Sequence, residues 1–496
     1  METVMLKQLD MLDIFEKYIG KLGIEDAERC SNRLYAMLPD KNNLNNNGVF
    51  VAYGGGKDSS YMIAFVRLVQ IIIFKKHGHT FRLRVATNRH TGMPKAVMEN
   101  IDSVYKALSL YDDPNVETLI IDGTTVKEFD KNLPLPAEII EQNRTDILMT
   151  GHRCNGDARP TFCNACNLSM VNSFGVALSY GDVINIVITG DSKEEQKAYG
   201  LWIKRLLNKF GLKYPKYRGF KSFLSAVNEI SKFYFKDIHG KENQLEIEKR
   251  QIKYKGISQP PMFFSIYEDT SYKAGDHWEL LVDYLGFKFD DLAFSFTESD
   301  CVNPAIMAHL RGLKVEYLYG RSYKEGIEEY VEFTTKLMKQ KEFPEDLIQL
   351  AQSRYGNSEK IKQMRKKIGQ YTEEALGIRE EQLICMVFAP FAGEGENLEV
   401  YLRNRQPWLL PQICEIHKLL ANPEVEFSNK NLLISYLEDL SGLTFEQLHT
   451  LYKLELSTSN RLSPISTILE DDIHKEVIKT RTKENGPVVE ELISGR

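Results

Sequence analysis

The sequence predicts an α/β protein with a parallel sheet at its centre. Between residues 48 and 212, short apolar segments alternate with longer segments of helical character. Apolar strands separated by helices are typical of a parallel sheet that is covered on both faces. Glycines follow two of the apolar segments, at the strand ends where such sheets bind ligands. These observations favour a Rossmann-like core.

The elements follow in order along the chain. Residues 5–40 are predicted to be helical because their apolar side chains recur at helical spacing. The asparagine-rich segment 41–48 then marks a boundary. In the core, the predicted strands are 49–53, 81–87, 116–122 and 182–189, and the predicted helices are 59–75, 94–110, 136–150, 162–180 and 192–210.

The second half of the chain shows a less regular pattern. Residues 292–296 and 315–319 are predicted strands of a second α/β region, and a helix is predicted to begin at Pro304. Cys301 is a further candidate metal ligand or thiol nucleophile, but a capped loop with Asn303 as the N-cap is the favoured interpretation of its segment. Residues 371–496 are predicted to be mainly helical, with a polar tail from 470 that forms a surface helix or is partly disordered.

Composition and charge bound the class of protein. The chain has 496 residues, of which 43% are hydrophobic and 27% charged, so two to four globular domains are expected. The net charge of −6 weighs against nucleic acid as the main partner. The charged first residues argue against a signal peptide, and no apolar run reaches the roughly 18–20 residues that span a membrane. The lack of such a run argues against a membrane partner. Seven cysteines in a chain without a signal peptide suggest a cytoplasmic protein with reduced thiols.

The segment VFVAYGGGKDSS, residues 49–60, joins an apolar strand to three glycines, a lysine, an acid and two hydroxyls. Without Cβ atoms, the backbone of residues 54–56 can approach a ligand closely. A helix that begins at Asp58 or Ser59 adds unpaired N–H groups and a dipole that favour anions. The segment matches neither the Walker loop nor the dinucleotide fingerprint. The segment predicts a phosphate-binding loop. The alternative is a tight strand-to-helix turn whose charged side chains are solvated.

The residues from Tyr53 to Ser59 resemble the Ser-Gly-Gly-x-Asp-Ser signature of the PP-loop ATP pyrophosphatases. That family belongs to the adenine nucleotide α-hydrolase-like superfamily, whose Rossmann-like core is called HUP-type. Its members hold the pyrophosphate of ATP in the loop and break the bond between the α- and β-phosphates. The usual product is an adenylated substrate that sulfur or nitrogen attacks. This chain departs from the signature at Gly54, which replaces the first serine and its hydroxyl.

The resemblance extends over residues 48–200. Asn88 follows the strand against which the family packs adenine, and residues 190–196, GDSKEEQ, are similar to its second glycine motif. A capped helix start, with Asp191 or Ser192 as the N-cap, is the alternative interpretation of that segment. The ATP site that the resemblance implies consists of Tyr53, Gly54, Gly55, Gly56, Lys57, Asp58, Ser59, Ser60, Thr87, Asn88, Gly190, Asp191 and Glu195.

Charged residues of this site have expected roles. Mg²⁺ would bridge the phosphates and a carboxylate of Asp58, Asp191 or Glu195. Lys57 is expected to neutralise the departing pyrophosphate. The candidate catalytic residues are Lys57, Asp58, Asp191, Cys163 and Cys166.

A cysteine-rich segment, GHRCNGDARPTFCNACN, spans residues 151–167. Cys163 and Cys166 have the CxxC spacing that lets two thiolates reach one metal ion, and Cys154 or His152 would complete the set. Zinc and an iron–sulfur cluster both suit these ligands. A disulfide or persulfide relay and a set of plain buried thiols are the alternatives. The layout resembles both PP-loop tRNA thiolases and sugar amidotransferase-like members of the family.

The sequence therefore predicts an enzyme that uses ATP to adenylate an acceptor, forms AMP and pyrophosphate, and transfers nitrogen or sulfur. A small-molecule ligase, amidotransferase or sulfurtransferase is the leading hypothesis. A tRNA-thiolating enzyme is the alternative, because residues 204–221 are basic and carry aromatic side chains. The third hypothesis is a nucleotide-binding subunit that has no catalytic activity and in which zinc stabilises the fold.

The expected organisation follows from these assignments. The partners are a small-molecule acceptor, or tRNA in the alternative, and a nitrogen or sulfur donor. A homo-oligomer or a complex with a donor-supplying protein is also expected. The predicted regions are a helical extension with its asparagine-rich linker (1–47), a PP-loop ATP-binding domain (48–215), an α/β substrate or accessory region (216–370) and a mainly helical region (371–496).

Overall fold

A six-stranded, mostly parallel sheet lies at the centre of the molecule, which confirms the predicted α/β class. The computed structural model describes residues 2–191, 193–270, 277–288, 290, 292, 304–340, 343, 345–460, 462–471 and 475–494. The strands of the sheet are β1 (Gly48–Ala52), β2 (Arg82–Asn88), β3 (Val116–Asp122), β4 (Thr125–Glu128), β5 (Ile186–Ile188) and β6 (Met262–Phe264). Their order is β4-β3-β2-β1-β5-β6, and neighbouring strands are parallel except for β3 with β4.

The strand order places a crevice beside β1. From β1 the chain adds β2 and β3 on one side and then returns to add β5 and β6 on the other side. In doubly wound sheets, ligands bind at the carboxyl ends of the strands where the winding reverses. That point lies between β1 and β5, so the residues that follow Ala52 and Ile188 meet at one edge of the sheet.

Helices cover both faces of this sheet. Those of the first half are α1 (Glu2–Met37), α2 (Lys57–His77), α3 (Lys95–Ala107), α4 (Ala137–Arg153), α5 (Ala158–Ser179), α6 (Lys193–Lys209), α7 (Gly219–His239) and α8 (Gln244–Lys249). Val49 and Val51 of β1 pack with α1, α2 and α3, whereas Phe50 packs with α5, α6 and α7. Successive strand side chains point to opposite faces, so β1 contributes to two separate cores.

The second half is mainly helical, although only residues 371–496 were predicted to be so and an α/β region was predicted for 216–370. Its helices are α9 (Pro304–Tyr317), α10 (Tyr323–Gln340), α11 (Glu345–Ser353), α12 (Ser358–Leu376), α13 (Glu380–Phe388), α14 (Leu398–Arg405), α15 (Ile413–Ala421), α16 (Lys430–Ser441), α17 (Phe445–Tyr452) and α18 (Pro464–Glu470). Short 3₁₀ helices lie at Leu44–Asn46, Ile266–Glu268, Gly393–Gly395 and Pro407–Gln412, and a π-helical turn lies at Leu280–Tyr284. These helices share a core with Leu148 of α4 and Phe162 of α5. In the described ranges, no helix is long and apolar enough to cross a membrane.

Two predictions about the second half are wrong. The predicted strand at 315–319 falls at the end of α9, where Val315 is fully buried and packs against Gly326 of α10. Helix packing therefore overrides the β-branched and aromatic composition of this segment. The tail is a hairpin of β7 (Lys475–Arg481) and β8 (Val488–Ser494), not a helix or a disordered segment. Its Ile478 and Thr480 are buried while Val477 is exposed, which is strand periodicity.

Other boundaries also differ from expectation. The strand predicted at 182–189 is shorter, with β5 limited to Ile186–Ile188. A second α/β region was expected between residues 216 and 370. The strand that the structure describes there, β6, instead pairs with β5 in the central sheet. A helix does begin at Pro304. The predicted strand residues 293–296 and Cys301 lie outside the described residues.

Candidate functional site

A cavity of about 450 Å³, named here the first cavity, lies at the carboxyl edge of the sheet beside the winding reversal. Tyr53 and Gly54 line it after β1, Asn88 lines it at the end of β2, and Gly190 and Asp191 line it after β5. Helices α5, α6 and α7 close its other side. The two glycine segments of the sequence thus meet in one cavity.

The glycine loop is braced by hydrogen bonds from both sides. The Thr87 hydroxyl donates to the Tyr53 carbonyl oxygen over 2.8 Å, and the Tyr53 backbone N–H donates to the Ala86 carbonyl oxygen over 3.0 Å. The Ser60 hydroxyl donates to the Gly56 carbonyl oxygen over 2.8 Å and lies 2.9 Å from the Tyr53 hydroxyl. Thr87 and Ser60 therefore shape the loop and do not line the first cavity.

Position 55 requires glycine because of its backbone conformation and its close neighbours. Its φ of +78° belongs to the left-handed region that disfavours side chains. A Cβ atom there would lie 2.7 Å from Val97 Cγ1 and 2.8 Å from Ile101 Cγ1. The backbone of the loop consequently sits directly on α3. Gly190 differs, because a Cβ atom there would meet nothing within 4 Å.

Helix α2 begins at Lys57, directly after the glycines, and points its amino end at the carboxyl edge of the sheet. Its N-cap residue Gly56 has no side chain to accept from the N–H groups of the first turn. The Ser59 hydroxyl instead donates to the Gly56 carbonyl oxygen over 3.0 Å, and Ser59 lines the first cavity. Free N–H groups and the helix dipole make this end suitable for an anion.

The lining of the first cavity includes five buried polar atoms that have no hydrogen-bond partner among the described residues. Two lie at strand ends, Asn88 Oδ1 at the end of β2 and Thr189 Oγ1 after β5, and the others are His90 Nε2, Asn164 Nδ2 and Trp202 Nε1. A buried polar atom without a partner costs about 1–3 kcal/mol, so native proteins rarely keep several together. A bound molecule with complementary donors and acceptors would satisfy them.

His90 is neutral in this setting. Its side chain is 7% exposed, and burial lowers its pKa to about 4. A neutral imidazole offers one donor nitrogen and one acceptor nitrogen. At neutral pH, His90 therefore presents a hydrogen-bonding group to the first cavity, not a positive charge.

Lys57 does not line the first cavity. Its side chain is 1% exposed, and its Nζ lies 3.0 Å from Asp58 Oδ1, at ion-pair distance but without hydrogen-bond geometry. The same Nζ lies 5.4 Å from the Trp278 ring centroid and 5.7 Å from that of Phe343. The aromatic faces and the carboxylate stabilise the ammonium beneath the loop.

The three carboxylates expected to hold Mg²⁺ all affect the pKa of the same side chain, that of Tyr267. Burial raises the pKa of Tyr267, and the negative charges of Asp58, Asp191 and Glu195 raise it further. Tyr267 lies in the turn after β6, at the same edge of the sheet. The carboxylates thus face a common region, although within the described ranges no three acidic, histidine or cysteine side chains form a group tight enough for a metal ion.

The four predicted cysteine-segment ligands have different surroundings. Cys166 lines the first cavity, whereas Cys163, one turn earlier on α5, is buried in the helical core. The Cys154 thiol lies 3.3 Å from the Thr161 hydroxyl, and burial raises its pKa to about 12. His152 is fully buried, and burial lowers its pKa to about 3. Neither of its ring nitrogens has a hydrogen-bond partner among the residues that the structure describes. Only Cys166 of the four reaches the first cavity, so no step is assigned to a metal here.

Several residues at this edge of the sheet carry no signal strong enough to be selected from the sequence. Asn164 stands between the cysteines of the CxxC pair and attracts less notice than they do. Thr189 is the last residue before Gly190, and Tyr267 follows a strand of three residues. Their convergence depends on the strand order, which no local pattern shows.

A second cavity, of about 700 Å³, adjoins the first. His90 and Cys166 line both cavities. Comparison of the chain with models of known protein families gives no match, and comparison with curated proteins gives no significant match. The fold and the site therefore define the class: an α/β protein with two adjoining ligand-sized cavities at the carboxyl edge of its sheet.

Proposed function

We propose that this chain is a PP-loop-type ATP pyrophosphatase that adenylates a small-molecule acceptor before nitrogen or sulfur transfer. The observation that carries the proposal is the first cavity. It joins the PP-loop-like residues Tyr53 and Gly54 to Gly190 of the second glycine segment. Its lining also includes five polar atoms without a partner among the described residues, and these suit the donors and acceptors of a nucleoside.

The chain's own groups would position the nucleotide. The adenosine part of ATP would occupy the first cavity, where Asn88 and Thr189 supply hydrogen-bonding atoms. Its phosphates would lie at the amino end of α2, whose free N–H groups stabilise negative charge. An acceptor oxygen would attack the α-phosphorus, and the bond from that phosphorus to the bridging oxygen would break to release pyrophosphate.

The acidic groups near Tyr267 suit a divalent cation. Asp58, Asp191 and Glu195 all raise the pKa of that phenol, so three carboxylates lie near it. Oxygen ligands of this kind are those that Mg²⁺ prefers, and the ion would neutralise phosphate charge. Lys57 would add positive charge from beneath the loop, where Asp58 and two aromatic rings hold it.

Cys166 bears on the choice between sulfur and nitrogen. It lines both cavities and is partly exposed, so a thiol stands where the nucleotide and an acceptor would meet. A thiol that reaches the adenylated group would favour sulfur transfer. Loss of product formation in Cys166→Ser, with pyrophosphate release retained, would support that version; unchanged product formation would favour nitrogen.

A tRNA acceptor is the second candidate function. Tyr214 and Tyr217 are 57% and 47% exposed within the basic segment 204–221, and exposed aromatic rings among lysines suit single-stranded RNA. RNA that copurifies with the chain and is lost from a Lys213→Glu/Lys216→Glu variant would support it. Thiolation of tRNA that is unchanged in that variant would count against it.

A substitution that fills the first cavity tests the proposal. Gly190→Leu would project a side chain into open space without backbone strain, so it should block the nucleotide and leave the fold intact. Gly369→Leu is the matched control, because a Cβ atom at Gly369 of α12 also meets nothing within 4 Å and lies outside the cavity. We expect Gly190→Leu to weaken binding of α,β-methylene-ATP by at least about tenfold, or 1.4 kcal/mol. Equal affinity in both variants would contradict the proposal.

A further inference from the structure

The second cavity has the size and position of a substrate site. Its volume of about 700 Å³ lies within the range typical of small-molecule sites. Residues after β3, along α4 and α5, and around α8 form its walls. It meets the first cavity at His90 and Cys166, so molecules bound in the two cavities would approach each other there.

A buried ionic network fixes one wall of the second cavity. Asp146 lies 2.8 Å from His239 Nε2 and accepts from Arg250 Nε over 2.8 Å, while Arg250 Nη1 donates to Glu246 over 2.6 Å. Burial acts to raise the pKa of Asp146, but Arg250 and His239 outweigh it and hold that pKa below its usual range. The network shapes the cavity, although Arg250 Nη2 has no hydrogen-bond partner among the described residues.

The charges that remain in the second cavity are mostly positive. Four of its five acidic side chains are paired with separate cations, in the pairs Asp122–Arg89, Glu141–Arg144, Asp146–Arg250 and Glu246–Lys249. Lys127 and Lys253 also line the cavity, and neither has an ion pair with any described residue. Glu138 is the single lining acid without such a pair in the described ranges. Uncompensated lysines favour an anionic ligand.

His90 supplies a second, independent sign of a ligand. It is more than nine-tenths buried, and its Nε2 has no hydrogen-bond partner in the part of the chain that the structure describes. Because His90 lines both cavities, this nitrogen lies where a molecule in the second cavity would come nearest to the nucleotide. A polar group on that molecule would satisfy it.

We infer that the second cavity binds the acceptor, a small molecule that carries a carboxylate. Lys127 and Lys253 hold the carboxylate, and the group to be adenylated lies against the wall that His90 and Cys166 form. This inference rests on the proposed function, because it takes the first cavity as the ATP site. It adds the chemical class of the acceptor and the cavity that selects it.

A matched pair of probes tests the charge requirement. Benzoate and benzamide have nearly the same shape, but only benzoate is anionic. We expect the full chain to bind benzoate at least about tenfold more tightly than benzamide, measured by ligand-observed NMR, with the site located in soaked crystals. Equal binding of the two probes, absence of benzoate binding, or benzoate bound only elsewhere would overturn the inference.

Charge-reversal variants assign the preference to the two lysines. Lys127→Glu/Lys253→Glu should remove the preference for benzoate. Lys453→Glu/Lys479→Glu makes the same change in net charge at exposed positions outside both cavities and should keep it. A preference that survives in the first variant would contradict the assignment.

Binding of α,β-methylene-ATP to the same proteins separates the two claims. Nucleotide binding without a benzoate preference would make the acceptor inference wrong and leave the ATP site standing. A lysine-dependent benzoate preference without nucleotide binding would make the proposed function wrong and leave a carboxylate site.

Discussion

Thr87 ties the end of β2 to the glycine loop, because its hydroxyl donates a 2.8 Å hydrogen bond to the carbonyl oxygen of Tyr53. Both partners are buried, and Tyr53 is the first residue of the PP-loop-like segment. The bond joins the two strand ends that the proposed nucleotide would contact. A residue selected from the sequence as a ligand contact is thus a positioning residue in the structure.

Removal of this hydroxyl should affect stability and nucleotide affinity together. Thr87→Val preserves shape but leaves the Tyr53 carbonyl oxygen without its partner, at an expected cost of about 1–3 kcal/mol in unfolding free energy. Denaturant unfolding and binding of α,β-methylene-ATP measure the two effects. Thr87→Ser keeps the hydroxyl and should restore most of both. Loss of affinity in Thr87→Ser equal to that in Thr87→Val would show that the methyl group matters, not the bond.

The C-terminal hairpin should be docked by a pH-sensitive ion cluster. Arg311 Nη1 lies 2.6 Å from Glu491 on β8, and Lys314 also pairs with that carboxylate. Burial opposes ionisation of Glu491, but these cations lower its pKa to about 2. A carboxyl whose pKa falls on folding adds stability above its unfolded pKa of about 4.3, and this stability is lost as pH falls towards 2.

Glu491→Gln tests this cluster. We expect the variant to lose about 2 kcal/mol of unfolding free energy at pH 7, after allowance for partial exposure, and about half of that at pH 3. Unfolding curves at the two pH values give the difference. Lys479, on the facing strand, is exposed and has no described ion pair, so Lys479→Gln is the control and should change little. A deficit of equal size at both pH values would contradict the ionic account.

His152 should reduce stability in mild acid. Its pKa falls to about 3 in the folded chain, so it stays neutral there while the unfolded chain binds a proton below about pH 6.5. Stability is therefore lost as pH falls from about 6.5 towards 3. His152→Leu should weaken this pH dependence and raise stability at pH 5, as measured by thermal unfolding. A loss of bound zinc or iron in that variant, with lower stability at every pH, would instead show that His152 is a metal ligand.

Cys166 should be protected by nucleotide. It lines the first cavity and is partly exposed, whereas Cys414 is exposed on α15 and lies outside both cavities. Iodoacetamide should label both thiols, and α,β-methylene-ATP should slow labelling of Cys166 alone. Peptide mass spectrometry measures both rates in one sample, with Cys414 as the internal control. Equal labelling of Cys166 with and without nucleotide would place the nucleotide elsewhere.

The longer parallel strands of the central sheet can be predicted from the sequence because each of them is a short apolar segment that is visible without knowledge of the fold. Segments such as GVFVA in β1 are continuously apolar, and burial on both faces demands this. The hairpin of β7 and β8 was missed because KEVIKTR lies in a polar tail and shows no clear alternation: its buried side chains are Ile478 and Thr480, while the apolar Val477 is exposed. Strand β6 has three residues, too few for a period to show.

The candidate site was likewise only partly predictable from the sequence. The glycines and carboxylates near residues 54 and 190 form short motifs that can be recognised without a fold. The unsatisfied atoms of His90, Asn164 and Thr189 come from three separate elements, and they converge only once β5 returns beside β1. The inward position of Lys57 depends on Trp278 and Phe343, which are distant in sequence. Convergence and side-chain direction are tertiary properties.

The central claim is that the first cavity is an ATP site, and a crystal structure of the chain with α,β-methylene-ATP and Mg²⁺ tests it most directly. The account expects adenosine within hydrogen-bond distance of Asn88 Oδ1 and Thr189 Oγ1, with the phosphates at the amino end of α2. Nucleotide bound away from both glycine segments, or no binding at saturating concentration, would contradict the account.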